Sequence, residues 1–101
     1  MLKLTVFLPL LVLGVLAVPS QAAAADRRGE QNEARAQMMA GKVKSIRSIE
    51  NRILPRMGDS EYIGPEFDPG AQVYRLKFIR DGRVIFVDVD GRTGSILRQS
   101  R

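Results

Sequence analysis

Hydrophobic and polar positions alternate most regularly between Gln72 and Asp90, where two β-rich runs flank Asp81-Gly82. That dipeptide favours the two-residue type I′ turn of a β-hairpin, in which both central residues take positive φ. Placing Arg80 opposite Arg83 sets Phe78 against Ile85, Leu76 against Val87 and Tyr74 against Val89, a uniformly apolar face. The other face sets Ile79 against Val84, Lys77 against Phe86, Arg75 against Asp88 and Val73 against Asp90. A slip of one residue would turn the apolar set outward, so the pattern specifies the register. It predicts a hairpin with one buried face and a mixed outer face carrying the opposite-charge pair Arg75–Asp88.

Upstream, Asn32–Ala40 uses good helix formers with Ala34 and Met38 on one side, and Gly41 is suited to cap its C-terminus. Met39, Val43, Ile46 and Ile53 would also fit one continuous helix through Gly41. That helix would place Glu50 in its apolar stripe and bury the good N-cap Ser45 in its interior. The preferred reading is therefore two helices, Asn32–Ala40 and Ile46–Leu54, joined by Gly41–Lys44, with Pro55 ending the second. Gly58-Asp59 signals a turn, and Glu61–Phe67 a weak strand. Gly64-Pro65 confines that strand to a sheet edge or a bulge, because proline lacks the N–H a central ladder needs. Asp68-Pro69-Gly70 is a turn by mechanism. Beyond the hairpin, Asp90 accepts backbone hydrogen bonds near Thr93, Gly94 takes a left-handed conformation, and Ile96-Leu97 return as a short strand or turn against the sheet. The fold class that follows is α+β: two short N-terminal helices packed on a small antiparallel sheet of three to four strands, with its central hairpin at Asp81-Gly82.

The 45% hydrophobic content of the 101 residues is concentrated at the start of the chain, which changes what the count describes. Lys3 precedes the uncharged run Leu4–Val18, and small residues follow as far as Ala25. A basic start, an apolar stretch and a small-residue cleavage region are the three parts of a secretory signal peptide. The run is shorter than the ~18 residues of a spanning helix and contains Pro9. A retained N-terminal membrane anchor is the lesser reading. Residues 1–25 are thus expected to be a cleaved signal, cut within Ala22–Ala25. Residues 26–31 would form a disordered lead-in and 32–101 a single domain working in the periplasm.

The chain has no His and no Cys. That excludes His/Cys zinc sites, cysteine nucleophiles, Ser-His-Asp triads and haem ligation through either residue. Without disulfides, so small a domain relies on its apolar core alone. Asp88, Asp90 and Thr93 begin like a calcium loop, but Thr93 stands where an EF-hand needs its glycine and Gln99 where it needs a bidentate glutamate. Glu50, beside an apolar stripe, is a candidate perturbed acid; the preferred reading is a rim residue paired with Arg47 or a hairpin base. Asp59, Glu61, Glu66 and Asp68 cluster around turns, in no spacing suited to acid–base work. The expectation is a non-enzyme with no catalytic residues, cofactor or metal.

The net charge of +5 falls to about +4 once Lys3 is removed, and the 11 carboxylates are interleaved with the bases. A nucleic-acid arm concentrates its bases in blocks, so nucleic acid is not an expected partner. Weak contact with anionic lipid or envelope polymer remains open. Ile79, Val84 and Phe86, flanked by Lys77, Arg75 and Arg83, form an apolar patch on the outer sheet face. It is either a partner surface or, as preferred here, lies beneath the terminal segment around Ile96 and Leu97.

Several segments taken together resemble a known family. These are Ala36–Gly41 ending one helix, Lys42-Val43-Lys44-Ser45-Ile46-Arg47-Ser48-Ile49 opening another, Val73-Tyr74-Arg75-Leu76-Lys77, Asp81-Gly82, and Val87–Leu97 with its Asp90-x-x-Thr93-Gly94 turn. The chain resembles the PepSY domain over about Arg35–Leu97, and in particular the small exported single-domain PepSY proteins of Gram-negative bacteria. The resemblance implies helices packed on an antiparallel sheet, as in propeptides of thermolysin-like metallopeptidases. It also implies a role in inhibiting or regulating peptidases, and it brings no catalytic motif. Glu50 stands where a leucine-like residue is expected, and Gly64-Pro65 interrupts the first strand. The expected function is a non-catalytic exported PepSY-like interaction module that acts on a peptidase or other envelope protein. The alternative is a basic envelope module that binds anionic lipid or cell-envelope polymer.

Overall fold

The computed structural model describes residues 21–100, so the apolar run Leu4–Val18 read as the core of an export signal lies outside the described residues. Two helices, α1 (Gln21–Met39) and α2 (Ile46–Ile53), precede four strands: β1 (Glu61–Asp68), β2 (Val73–Arg80), β3 (Arg83–Asp90) and β4 (Ile96–Gln99). The strands form one antiparallel sheet in the order β1-β2-β3-β4. The fold is α+β, as the patterning predicts.

The two-helix reading holds at its junction. Gly41 takes φ +76°, its N–H donates to the Met38 carbonyl at 3.0 Å and the Lys42 N–H to the Gln37 carbonyl at 2.8 Å. That pair of bonds is a Schellman cap, which uses carbonyls the helix leaves unpaired. Ser45 caps α2, its Oγ accepting from the Ser48 N–H at 3.1 Å. Pro55 lies in a single 3-10 turn, Leu54–Arg56, that follows α2. At its other end α1 departs from expectation. It begins well before Asn32 and carries Asp26–Gln31, the segment read as a disordered lead-in, as helix. A tertiary contact holds it there: Glu30 Oε1 accepts from the Phe67 N–H of β1 at 3.2 Å.

In the hairpin the observed partners run from Val73↔Asp90 to Arg80↔Arg83, the register set by the apolar pattern. Asp81 and Gly82 take φ +53° and +76°, both positive as a type I′ turn requires. Tyr74, Leu76, Phe78, Ile85, Val87 and Val89 are buried against Ile49 and Ile53 of α2, with Val43, Met57 and Phe67 closing the cluster. Burying each such side chain contributes about 1.5–3 kcal/mol, so α2 is held by its two isoleucines. By contrast, no side chain of α1 is buried among the described residues. β1 lies at the sheet edge and also carries a bulge between Tyr62 and Gly64, the two accommodations open to a strand containing Gly64-Pro65.

The link between the helices is clasped to the far end of the sheet. The Lys44 N–H donates to the Gly91 carbonyl at 2.7 Å, and the Gly91 N–H to the Gln72 carbonyl at 2.8 Å. The Tyr74 hydroxyl, at the edge of the core, donates to the Lys44 carbonyl at 2.7 Å.

Candidate functional site

Alternation along β2 and β3 sends Arg75, Lys77, Ile79, Val84, Phe86 and Asp88 to the sheet face opposite α2, and the structure brings all of them together there. Val84 is 63% exposed, while Ile79 and Phe86 are half-buried. The Arg75 guanidinium lies 3.8 Å from the centroid of the Phe86 ring, a cation–π contact that covers part of the aromatic face. The same guanidinium grips Asp88 through two bonds, Nε to Oδ1 at 2.7 Å and Nη2 to Oδ2 at 3.0 Å. Arg98 of β4 reaches Asp88 Oδ2 from the other side at 3.0 Å. Lys77 Nζ pairs with Glu66 at 2.9 Å.

Asp88 is only 3% exposed on this otherwise open face. The hydrogen bond from Arg75, reinforced by Arg98, holds its carboxyl below the usual carboxylate range although burial opposes the charge. Asp90 is also held below its usual range, first by the Arg92 backbone N–H, which donates to Oδ1 at 2.8 Å. These two carboxylates, the start of the apparent calcium loop, are thus engaged by arginines and by the turn itself.

The preferred covering of the patch is not what forms. Ile96 and Leu97 do return to the sheet, but as β4, paired edgewise with β3 and extending the sheet laterally. Their side chains remain 38% and 55% exposed, and among the described residues no terminal segment lies over Ile79, Val84 and Phe86. Pairing wins because the exposed edge of β3 offers a row of backbone donors and acceptors, which a strand satisfies and an overlying loop would not. Glu50 also differs in its partner: it accepts from the Tyr62 hydroxyl at 2.6 Å, not from Arg47 or a hairpin base.

A second concavity escaped the sequence reading. A groove of about 810 Å³ lies between α1 and β1 and reaches the start of α2, with Met38, Ile46 and Ile63 among its apolar walls. Arg27, Arg35, Arg47 and Lys77 line it, against the two carboxylates of Glu30 and Glu66. The signal was present. Arg27, Gln31 and Arg35 recur every four residues, as do Glu30, Ala34 and Met38, which makes adjacent stripes on one helix face. Starting the helix at Asn32 cut both stripes.

Comparison of the chain with protein-family models, curated proteins and solved structures finds no match.

Proposed function

We propose that this chain is a non-catalytic, exported interaction module of PepSY type. It docks a peptidase or another envelope protein on its outer sheet face and restrains that partner's activity. The observation that carries the reading is the open apolar patch of Ile79, Val84 and Phe86, set among Arg75 and Lys77 and left uncovered by β4. An apolar centre with a charged rim suits a protein partner: the centre supplies the desolvation energy, and the flanking bases set orientation. Arg75 and Lys77 each already have a carboxylate partner, so little of their charge is left to drive attachment to an anionic polymer.

The test is capture of a discrete envelope protein by the immobilised module, followed by assay of that protein's activity in the complex. Docking through this face requires that Val84→Asp and Phe86→Asp each abolish retention with the fold intact, and that retention persist at high salt. Retention indifferent to both substitutions rejects this surface. Retention lost in high salt identifies electrostatic attachment to anionic lipid or polymer instead.

A further inference from the structure

The groove between α1 and β1 is built differently from the outer-face patch, although Lys77 borders both. Its strand wall is a sheet edge. Phe67 directs its N–H outward, away from β2, and the donor is met only by a carboxylate from the chain's own α1, Glu30 Oε1 at 3.2 Å. Around that carboxylate stand Arg27, Arg35 and Arg47, none of which has an ion-pair partner among the described residues. Apolar walls from Met38, Ile46 and Ile63 lie beside a backbone donor and uncompensated positive charge.

The helix that seats Glu30 is loosely held. It buries no side chain fully, sets only the half-buried Ala34 against the core cluster, and is tied to the rest of the fold by polar bonds. Gln37 Nε2 donates to the Pro69 carbonyl at 3.2 Å, and Gln72 Nε2 donates to Gln37 Oε1 at 3.0 Å. A segment with few buried apolar contacts belongs to the low-stability end of a structure and yields to a competitor at little cost.

We infer that this groove is a binding site for an extended acidic peptide, and that Glu30 occupies the position of the ligand's carboxylate. The peptide lies along β1. Its carboxylate accepts the Phe67 N–H within reach of Arg35 and Arg47, and its apolar side chains rest on Ile63, Ile46 and Met38. Charge complementarity selects this occupant: Lys77 is paired with Glu66, and the three remaining bases, Arg27, Arg35 and Arg47, face one carboxylate, the chain's own stand-in Glu30. A hydrocarbon chain that displaced Glu30 fits less well, because it would leave the Phe67 N–H without an acceptor and lie against the polar side chain of Gln31 and three arginines.

The probe is a fluorescein-labelled peptide of alternating valine and threonine with one central glutamate. It is titrated by fluorescence anisotropy into the protein purified as the cell processes it. Saturable binding is expected, about tenfold tighter than for the same peptide with a central lysine. Glu30→Ala removes the internal competitor and tightens binding several-fold. Arg47→Glu and Arg35→Glu, both at exposed positions, each weaken it about tenfold with the thermal melt unchanged. Phe86→Asp on the outer face has no effect, which separates this site from the docking face. Equal binding of the two peptides, or a Glu30→Ala protein that binds no more tightly, overturns the proposal. So does displacement of the peptide by phosphatidylglycerol vesicles at lower concentration than by unlabelled peptide, or by self-association of the protein, since the groove would then belong to lipid or to a second copy.

Discussion

The Tyr62 hydroxyl donates a 2.6 Å hydrogen bond to Glu50 Oε2, tying the middle of α2 to the edge strand β1. The Tyr62 ring packs tilted against Phe78 with centroids 5.1 Å apart, so one side chain serves both the apolar cluster and the carboxylate. Glu50 is thereby accommodated beside the apolar stripe of α2. The contact also gives the fold an alkaline limit. Burial, followed by the hydrogen bond and charge of Glu50, pushes the Tyr62 phenol far above its usual range, and burial raises Tyr74 too. Both phenols hold their proton more tightly folded than unfolded. The stability this provides is complete below the unfolded pKa of about 10 and is lost as pH rises beyond it. Urea melts should therefore give constant stability at neutral to mildly alkaline pH and a decline above about pH 10. Tyr62→Phe should cost about 1 kcal/mol at neutral pH and make the alkaline decline shallower. An unchanged alkaline slope in the variant would remove Tyr62 from this account.

Asp88 sets the opposite limit. Its folded pKa lies below the unfolded value, so the stability it contributes is present above about pH 4 and is lost as pH falls through the folded value. Asp90, also held below its usual range, adds a contribution of the same sign. Asp88→Asn should destabilise by about 2 kcal/mol, less than the usual cost of breaking a buried pair, because Arg75 and Arg98 are partly exposed and regain water when freed. Thermal unfolding between about pH 2.5 and about pH 7 should show a shallower acid limb for the variant than for the parent. It should also loosen Phe86, whose covering arginine would lose its anchor.

The register of the hairpin was legible in the sequence because a period of two admits only one alignment that buries Tyr74, Leu76, Phe78, Ile85, Val87 and Val89 together. The caps were legible because Ser45 and Gly41 act within one turn of where they stand. The start of α1 was not. Its i, i+4 stripes are almost wholly polar over Asp26–Gln31, which a solvated tail tolerates as well as a helix, and the helix is pinned by Glu30 to a strand far along the chain. The outer-face residues were placed correctly, but the destination of Ile96-Leu97 depended on the unpaired edge of β3, which hydrophobicity does not report. The groove needed the long helix as well as the β1 edge, and only the edge was legible.

Two glycines should respond in different degree to the same substitution. At Gly91 an added Cβ would lie 2.7 Å from the Gln72 carbonyl oxygen and 3.1 Å from Val43 Cγ1, inside the clasp that holds the helix link to the sheet. Gly91→Ala should cost about 2–3 kcal/mol, since backbone and a buried valine must both shift. At Gly41 the space is open and only φ +76° resists a side chain, so Gly41→Ala should cost about 1 kcal/mol. Denaturant midpoints of the two variants measure the difference, and equal midpoints would mean that the clasp gives way freely.

Pro65 denies a further strand a continuous backbone ladder along the β1 edge, while leaving the Phe67 N–H to a side-chain carboxylate. The Phe67 N–H points outward to Glu30, and Pro65, two residues earlier on the same strand, has the same outward orientation in the antiparallel ladder. Proline therefore costs no hydrogen bond to β2 while withholding the donor that a further strand would use, and the opposite orientation would have broken the sheet. Replacing it restores that donor beside Ile63, on an edge where the outward Phe67 N–H is guarded by a helix that buries no side chain fully. Pro65→Val should leave the fold intact and raise the strand propensity of β1. It should also promote pairing of β1 edges between molecules, shifting sedimentation toward dimers and larger species as concentration rises. Combining it with Glu30→Ala, which frees Phe67 as well, should move that shift to lower concentration. A monomeric double variant would show that the bulge at Tyr62–Gly64, not the proline, protects this edge.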